Sequence, residues 1–434
     1  MVRVAQREGD AEIVRLLGQA RPTDAQGRYL HWHELRRRPS ADGEHAETRW
    51  LAMKMARAAT RRDLPLLQKD GSQFWFTIPD PMISLTHDID KRSAGMIGFP
   101  KSGVSGDLAD TFKVNAMMEE AFFSSRIEGA ATTRAVAKEM LRENRPPRSH
   151  GERMVLNNYN AMMMVREIQN QLISVPLIQE LQSVVVAGTL IGDEAPGALR
   201  ERDDVVVEDV ISGEVLHQPP PSNELPARTD ALCRFANGET GGAFVHPVVQ
   251  AIIVHFMMGY DHPFPDGNGR TARALFHWVM ARNGYWLIEY APISRVIDRA
   301  RVAYGNAFLL SETDEGDLTY FILYHLEVIR RAIDELDSYL TRKAHEFRDV
   351  ERLLTGSEFQ RLNHRQIALL RHAFEHPGGQ YSIEGHARAH AVSYQSARSD
   401  LDQLWKLGLL EETHRGRKRL FIAPRDLSQR MRGG

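Results

Sequence analysis

The spacing of hydrophobic positions predicts a mostly helical chain between residues 106 and 339. Pro176, Pro247 and Pro292 stand where a first helical turn tolerates proline. The predicted helices are Lys113 to Ser125, Thr132 to Arg142, Arg153 to Leu172, Pro176 to Ala187, Ala227 to Ala236, Pro247 to Gly259, Gly269 to Asn283, Pro292 to Leu310 and Leu318 to Tyr339. This region, residues 101–340, is therefore expected to be a helical core.

One segment of this core breaks the helical pattern. Val205 to Val207 and Val215-Leu216 flank Ser212-Gly213, and Pro219 to Pro221 follow, which predicts a β-hairpin over residues 204–218. From Arg200 to Leu216 there are six acidic and two basic residues. A solvated acidic loop and a docking site for a basic partner are both compatible with this charge.

Residues 1–100 show weaker periodicity than the core. Glu47 to Arg62 is amphipathic, while Gly71 and Pro79 to Pro81 interrupt the rest as loops. We expect a mainly helical accessory domain here, and a charged helical connector over residues 341–362.

The C-terminal segment, residues 363–424, has the pattern of a winged helix-turn-helix, and residues 425–434 form a basic tail. Its predicted helices are Arg365 to Phe374, Ser382 to His390 and Ser393 to Leu407, followed by Leu409-Leu410 and Leu420 to Ile422 around a basic turn. If this domain binds DNA, two groups of residues would contact it: Ser393, Gln395, Ser396, Arg398 and Ser399 in the major groove, and Arg415, Arg417, Lys418 and Arg419 at phosphates. A protein-interaction module is the alternative.

Composition narrows the class of protein. The chain has 55 Lys plus Arg against 57 Asp plus Glu and is 42% hydrophobic, which is typical of neither a disordered chain nor a wholesale nucleic-acid binder. The single cysteine, Cys233, excludes an intramolecular disulfide and zinc sites built on cysteine pairs. Apolar runs stop short of the ~18 residues that span a bilayer, and Met1 to Asp10 lacks a signal peptide. We expect a cytoplasmic protein that does not contact membranes.

The run from His262 to Arg273, His-Pro-Phe-Pro-Asp-Gly-Asn-Gly-Arg-Thr-Ala-Arg, carries the chemistry. A Gly-Asn-Gly loop that opens a helix presents unpaired backbone N–H groups to an anion. Arg270 and Arg273 lie three residues apart on that helix, and guanidinium groups match phosphate oxygens. Asp266 offers a hard oxygen to Mg²⁺, and His262 can accept a proton near neutral pH. Together they predict a nucleotidyl or phosphoryl transfer site.

The same run resembles the signature of the Fic family, H-x-F-x-[DE]-G-N-G-R-x-x-R, at every defined position. The resemblance extends over most of the chain, from Leu30 to Trp32 through the core to the winged helix. It implies a protein adenylyltransferase that moves AMP from ATP-Mg²⁺ to a hydroxyl side chain of a target protein and releases pyrophosphate. Relatives that phosphorylate instead carry Lys at the second motif glycine, whereas this chain has Gly269.

The resemblance also assigns roles within the motif. His262 would deprotonate a target Ser, Thr or Tyr, Phe264 would anchor the loop in the core, and Asp266 would hold Mg²⁺. The residues implied in ATP binding are Gly267, Asn268, Gly269, Arg270, Thr271, Ala272 and Arg273, with Tyr304 and Asn306 near the adenine.

A second motif lies upstream, where residues 115–128 are expected to form an inhibitory helix. Ser124-Ser125-Arg126-Ile127-Glu128-Gly129 fits the pattern [ST]-x-x-x-E-[GN] that accompanies part of this family. A carboxylate from Glu128 paired with Arg273 would occupy the guanidinium meant for the γ-phosphate. Ser124, Glu128 and Gly129 are therefore predicted to autoinhibit the enzyme.

Several alternatives stay open at this point. Some relatives use the same glutamate to remove AMP, so Glu128 could serve a second activity. A DNA-binding regulator acting through the winged helix is the hypothesis from another class. The target could be a second copy of this chain, and a homodimer is also open.

Overall fold

The structure is a computed structural model that describes residues 20–39, 45–93, 106–190, 195–208, 215–355, 362–390, 392–415 and 418–431, together with residues 18 and 213. These residues are mostly helical and include three small antiparallel sheets, which confirms the predicted mainly α class. Contacts divide the chain into a larger compact unit that ends at Leu336 and a smaller one that runs from Asp337. Within the described part of the chain, no helix combines the length and apolar character that a membrane span requires.

Thirteen described helices precede the C-terminal domain, and the last of them continues past Leu336, where the larger unit ends. Helices α1 to α13 are, in chain order, Trp32–Leu35, Ala46–Ala59, Asp80–Ser93, Gly106–Ile127, Arg134–Glu143, His150–Ile168, Val175–Val186, Leu225–Ala236, Pro247–Asp261, Asn268–Arg282, Ile293–Asp298, Arg301–Thr313 and Thr319–Thr355. Side-chain oxygens of Thr133, Ser149 and Ser174 accept backbone N–H groups at the starts of α5, α6 and α7.

Helices α9 and α10 lie at the centre of this unit. Every residue of α9 except Pro247 and Gly259 is buried, and α10 is buried from Arg270 to Met280. A helix that is buried all round belongs to the core of its domain. The six-residue loop between the two helices is therefore supported on both sides by core packing.

The N-terminal segment contains a sheet that the prediction missed. Strand β1, Arg62–Leu67, pairs antiparallel with β2, Gln73–Phe76. Leu64 and Leu66 are buried between exposed neighbours, which is the period of two expected of a strand. Pro65 inside β1 argues against a strand when the sequence is considered alone.

The predicted helix from Pro292 to Leu310 is wrong, because the chain forms α11 and α12 with a break between them. Asp298 ends α11 with its side chain buried and accepts bonds from Arg126 and Arg301. Ala300 then leaves the helical region with φ −137°. Helix α13 continues to Thr355, into the segment 341–362 that the sequence predicts to be a charged helical connector.

The predicted hairpin has two short strands, β3 at Val207–Glu208 and β4 at Val215–His217. They pair antiparallel, with Val207 opposite His217. Residues 209–212 and 214, at its tip, lie outside the described residues. We call residues 203–220 the hairpin segment.

The C-terminal domain, residues 362–431, contains the three predicted helices and the two predicted strands, together with a strand and a short helix that the sequence did not predict. Its helices α14 to α17 are His364–Glu375, Ile383–His390, Tyr394–Lys406 and Leu427–Arg430, and its strands β5 to β7 are Gln380–Ser382, Glu411–Arg415 and Lys418–Ile422. The sheet order is β5-β7-β6. Ser393 is the N-cap of α16, and the basic turn at residues 416–417 lies outside the described residues.

Candidate active site

His262 begins the loop between α9 and α10 in a left-handed backbone conformation, with φ 45° and ψ 55°. A non-glycine residue in this region costs ~1–3 kcal/mol and persists where its surroundings fix it. Arg200 supplies one such contact, because its Nε donates to the carbonyl oxygen of His262 at 3.0 Å. The backbone of His262 is therefore held from outside the motif.

The imidazole ring of His262 is held in one tautomer. Its Nδ1 lies 3.2 Å from the carbonyl oxygen of Gly259. Because a carbonyl only accepts, Nδ1 carries the proton and Nε2 keeps its lone pair. Burial lowers the pKa of His262, although the Gly259 carbonyl and the Glu128 carboxylate act in the opposite direction. The neutral form is thus favoured at physiological pH.

Asn268 holds the loop together rather than projecting from it. Its Oδ1 accepts from the backbone N–H of Phe264 at 3.0 Å, and its Nδ2 donates to the Phe264 carbonyl at 2.7 Å. Phe264 is fully buried, as expected for an anchor. Both ends of the Asn268 carboxamide are engaged here, so the backbone N–H of Asn268 is its group suited to an anion.

The two motif glycines are needed for different reasons. Gly267 has φ 83°, and a Cβ there would lie 2.7 Å from Val186. Gly269 is helical, but a Cβ on it would collide with the carboxylate of Glu128 and approach Arg273 Nη1 to 3.3 Å. Glu128 therefore lies over the first turn of α10, where the unpaired backbone N–H groups of that helix are found.

Arg270 is almost fully buried yet reaches the loop. Its Nη1 donates to the carbonyl oxygen of Val185 at 2.9 Å, and its Nη2 lies 3.2 Å from Asp266 Oδ2. The Asp266 side chain is 52% exposed. Among the described residues no protein group accepts from Arg270 Nε, so this cation keeps donor capacity next to an accessible carboxylate.

Arg273 is bound by the end of α4, the helix that contains most of the segment predicted to be inhibitory (residues 115–128) and that we call the inhibitory helix for short. Its Nε donates to Ser124 Oγ at 2.8 Å, while its Nη2 donates to the Ser124 carbonyl and to Glu128 Oε1, both at 2.9 Å. Arg273 Nη1 is buried and finds no acceptor among the described residues. The predicted ion pair between Glu128 and Arg273 is therefore present, and one of the two Arg273 NH₂ groups remains unused.

Glu128 stays ionised in this position. Burial alone would raise the pKa of Glu128, but Arg273, and then Arg270 and His262, together hold that pKa below its ordinary value. Gly129 follows in a left-handed conformation, φ 86°, and ends the inhibitory helix. The carboxylate of Glu128 is thereby held over the site as a charged group.

The inhibitory helix has a second anchor two turns earlier, at Glu120. This buried carboxylate accepts from the backbone N–H of Ser294 at 3.0 Å and from the Ser294 hydroxyl. Near the C-terminal end of the same helix, Arg301 donates to the carbonyl oxygen of Arg126 at 2.8 Å. The position of Glu128 is consequently set by contacts along α4, and not only by Arg273.

The remaining predicted ATP residues occupy varied positions. Thr271 and Ala272 are buried in α10, so their side chains pack in the core. The Tyr304 hydroxyl forms a hydrogen bond with His255 Nε2, with 2.9 Å between the oxygen and the nitrogen. The positive charge of Arg273 also acts on this hydroxyl. Asn306 is exposed on the same helix as Tyr304. The structure thus brings Tyr304, but not Asn306, into the polar surroundings of Arg273.

Two residues that the sequence did not indicate support the loop. Gln182 donates to the carbonyl oxygen of Asp266 at 2.8 Å and accepts from the backbone N–H of Gly197 at 2.7 Å. Arg200 binds His262 as described above. Both lie outside the motif, and no local pattern marks them. In the described part of the chain, no group of three or more His, Cys, Asp or Glu side chains is arranged to hold a metal ion.

Comparisons with known proteins agree with this geometry. The family described as Fic/DOC matches residues 172–280, which include the loop and most of α10. Proteins named Protein adenylyltransferase Fic from Drosophila ananassae and Nematostella vectensis are each 30% identical over 118 residues, or 27% of this chain. The aligned stretch spans 22% and 26% of those two proteins, respectively.

A solved structure extends the likeness beyond the motif. A Fic family protein from Desulfovibrio desulfuricans G20 superposes with a TM-score of 0.53, over 80% of this chain and 97% of the other. The two sequences are 17% identical over this range. This likeness shows a shared fold.

Proposed function

We propose that this chain is a protein adenylyltransferase, because residues 172–280 match the Fic/DOC family. The observation that carries the proposal is the convergence of three groups at one loop. They are the free Nε2 of His262, the first turn of α10 and the guanidinium of Arg273. A base, an anion site and a buried cation are what transfer of a nucleotidyl group requires.

In the proposed reaction, His262 Nε2 accepts the proton of a target Ser, Thr or Tyr hydroxyl. The hydroxyl oxygen forms a bond to the α-phosphorus of ATP, and the bond from that phosphorus to the bridging oxygen breaks. Pyrophosphate leaves with the electron pair. The bond from Nδ1–H to the Gly259 carbonyl keeps Nε2 unprotonated until it accepts this proton.

Arg270, Arg273 and the N–H groups of Asn268 and Gly269 would hold the triphosphate. Arg273 is suited to the γ-phosphate because its guanidinium already binds a carboxylate, whose oxygens resemble those of phosphate in charge and geometry. The side chains of Arg270 and Arg273 are each only 1% exposed. Little water therefore competes with a phosphate for either guanidinium.

Asp266 fits Mg²⁺ as a single protein ligand. Its carboxylate is half exposed and lies beside the first turn of α10, so water and phosphate oxygens can complete the coordination. When bound, Mg²⁺ would neutralise charge on the α- and β-phosphates.

We propose further that Glu128 autoinhibits the enzyme. Its carboxylate binds Arg273 and covers Gly269, so a triphosphate would meet a negative charge where its γ-phosphate should lie. The depressed pKa of Glu128 keeps this charge in place near neutral pH. Removal of AMP by the same Glu128 stays a prediction, as do a homodimer and DNA binding by the C-terminal domain.

The test uses ATP labelled at the α-phosphate, with Mg²⁺, a host lysate and the Glu128→Gly chain. Label is expected in protein, and mass spectrometry would identify the modified protein and residue, including this chain itself. Adding His262→Ala should lower incorporation by about 10²–10⁴-fold, the usual contribution of a general base. His87→Ala, at an exposed histidine of α3, is the matched control. Equal labelling with and without His262 would overturn the proposal.

A further inference from the structure

Arg200 lies between α7 and the hairpin segment, and its side chain is only 3% exposed. On one side it contacts the catalytic loop: Nε donates to the His262 carbonyl at 3.0 Å, and the Arg200 backbone N–H donates to the Pro263 carbonyl at 2.9 Å. These are bonds to the first two residues of the motif. Arg200 therefore fixes the backbone from which the His262 ring projects.

On the other side, the same guanidinium contacts both ends of the hairpin segment. Its Nη1 donates to the carbonyl of Arg202 at 3.0 Å and to Asp203 Oδ1 at 3.1 Å. Its Nη2 donates to the carbonyl of Pro220, at the far end of the hairpin. One buried side chain thus joins the start of the hairpin, its end and His262.

A second contact joins the hairpin to the core without reaching the catalytic residue. The His217 ring binds the Tyr260 carbonyl and Glu312, each at 2.7 Å. Tyr260 lies two residues before His262, in the last turn of α9. Among the described residues, Arg200 is the side chain that binds the hairpin and His262 together.

We propose that Arg200 is a positioning residue that transmits the placement of the hairpin segment to His262. This inference rests on the proposed function, in which a target hydroxyl must meet His262 Nε2. An extended target segment that pairs with the hairpin would shift its ends, and Arg200 would carry that shift to the His262 carbonyl. The target would in this way set the geometry of its own base.

Hydrogen–deuterium exchange of the full chain tests the coupling without any need for activity. Arg200→Met should raise exchange in residues 203–220 and in residues 259–266 together. Asp203→Ala, which removes the acceptor of one Arg200 bond and of the Ser222 N–H, should raise it in the hairpin segment and to a smaller extent in residues 259–266. Arg202→Met, at an arginine that is 78% exposed, should change neither segment.

Two results of that experiment would overturn the proposal. One is unchanged exchange over residues 259–266 in Arg200→Met. The other is a rise across all peptides, which would mean that Arg200 supports the fold in general. Arg200→Lys, which keeps the charge but not the forked donor, should lie between wild type and Arg200→Met.

Kinetics in the Glu128→Gly chain supply the second readout. Arg200→Met should lower the kcat of AMP incorporation by about 10- to 100-fold, as small misplacements of catalytic groups do, with the KM for ATP unchanged. A rise in KM at constant kcat would contradict a role through His262. If the Glu128→Gly parent itself incorporates no AMP, the proposed function fails, while the exchange experiment still decides the role of Arg200.

Discussion

Two arginines, Arg273 in the candidate active site and Arg419 in the C-terminal domain, have contrasting sets of partners for the guanidinium group. Arg273 has one carboxylate partner, Glu128, and its Nη1 finds no acceptor in the part of the chain that the structure describes. Arg419 pairs with Glu412 through two nitrogens and with Asp402 through the third. Its guanidinium also lies 4.8 Å from the centre of the Phe421 ring.

The difference shows that the number of arginines is a poor guide to anion binding. Arg419 is saturated by carboxylates of its own domain, so a phosphate would have to displace two of them. At Arg273 a phosphate would have to displace only one carboxylate, that of Glu128, which directly follows helix α4. An arginine with unused donors and a single replaceable partner is suited to a phosphate.

The largest expected effect follows from removing a carboxylate partner of each arginine in turn. Glu128→Gly should raise AMP incorporation by roughly 10- to 100-fold, since a charge-assisted hydrogen bond contributes about 1.5–3 kcal/mol. Glu412→Gln should leave incorporation unchanged. The measurement is the initial rate with ATP labelled at the α-phosphate. A similar rate in wild type and Glu128→Gly would contradict this comparison, because Glu128 would then not limit the access of the γ-phosphate to Arg273.

The second effect concerns the geometry of Arg273. In the Glu128→Gly chain, Arg273→Lys should raise the KM for ATP about tenfold, because a single ammonium replaces a fork with two usable edges. Arg282→Lys, at the other end of α10, is the control. An unchanged KM would mean that the γ-phosphate does not depend on this guanidinium.

Stability of the C-terminal domain is the third test. Arg419→Met removes two partly exposed ion pairs and two ring contacts, with Trp405 and Phe421, so local stability should fall by about 1–2 kcal/mol. Amide exchange in α16 and β7 measures this loss. Arg398→Met is the control, because Arg398 has one contact with Asp402 at 3.6 Å and is 54% exposed. Equal losses in both variants would show that Arg419 is not specially held.

The same variant sharpens the DNA hypothesis. If the domain produces a salt-sensitive gel shift, Arg419→Met should leave it intact, because Arg419 is already neutralised within the domain. Loss of the shift in this variant would break the comparison. No shift at low salt would discard DNA binding altogether.

The smallest expected effect is on pH dependence. A base acts in its neutral form, and burial lowers the pKa of His262 from its ordinary value of 6.5. The acid limb of kcat/KM should therefore lie below pH 6.5. At that pH an unperturbed histidine is half neutral, so the gain is less than about twofold. Glu128→Gly removes a charge that raises the His262 pKa, so its limb should move further toward acid; a limb above 6.5 would contradict this.

The sequence predicted much of this molecule where the signal was local. The chemistry of the run from His262 to Arg273 and most helices follow from spacing over a few turns, whereas the motif from Ser124 to Gly129 rests on the resemblance to the Fic family. It failed where a local signal conflicted with another. Pro65 argues against the strand that the structure shows as β1. The apolar pattern continues past Asp298, where helix α11 ends with a buried carboxylate.

Sequence by itself determined which groups are available: a histidine, two arginines, an aspartate and a glycine-rich helix start within twelve residues. Tertiary structure decided how they are used. It engages both ends of the Asn268 carboxamide with Phe264, places Glu128 over Gly269, and brings in Arg200 from 62 residues away. The reason is physical: buried donors and acceptors must find partners, and those partners come from whichever segment packs alongside.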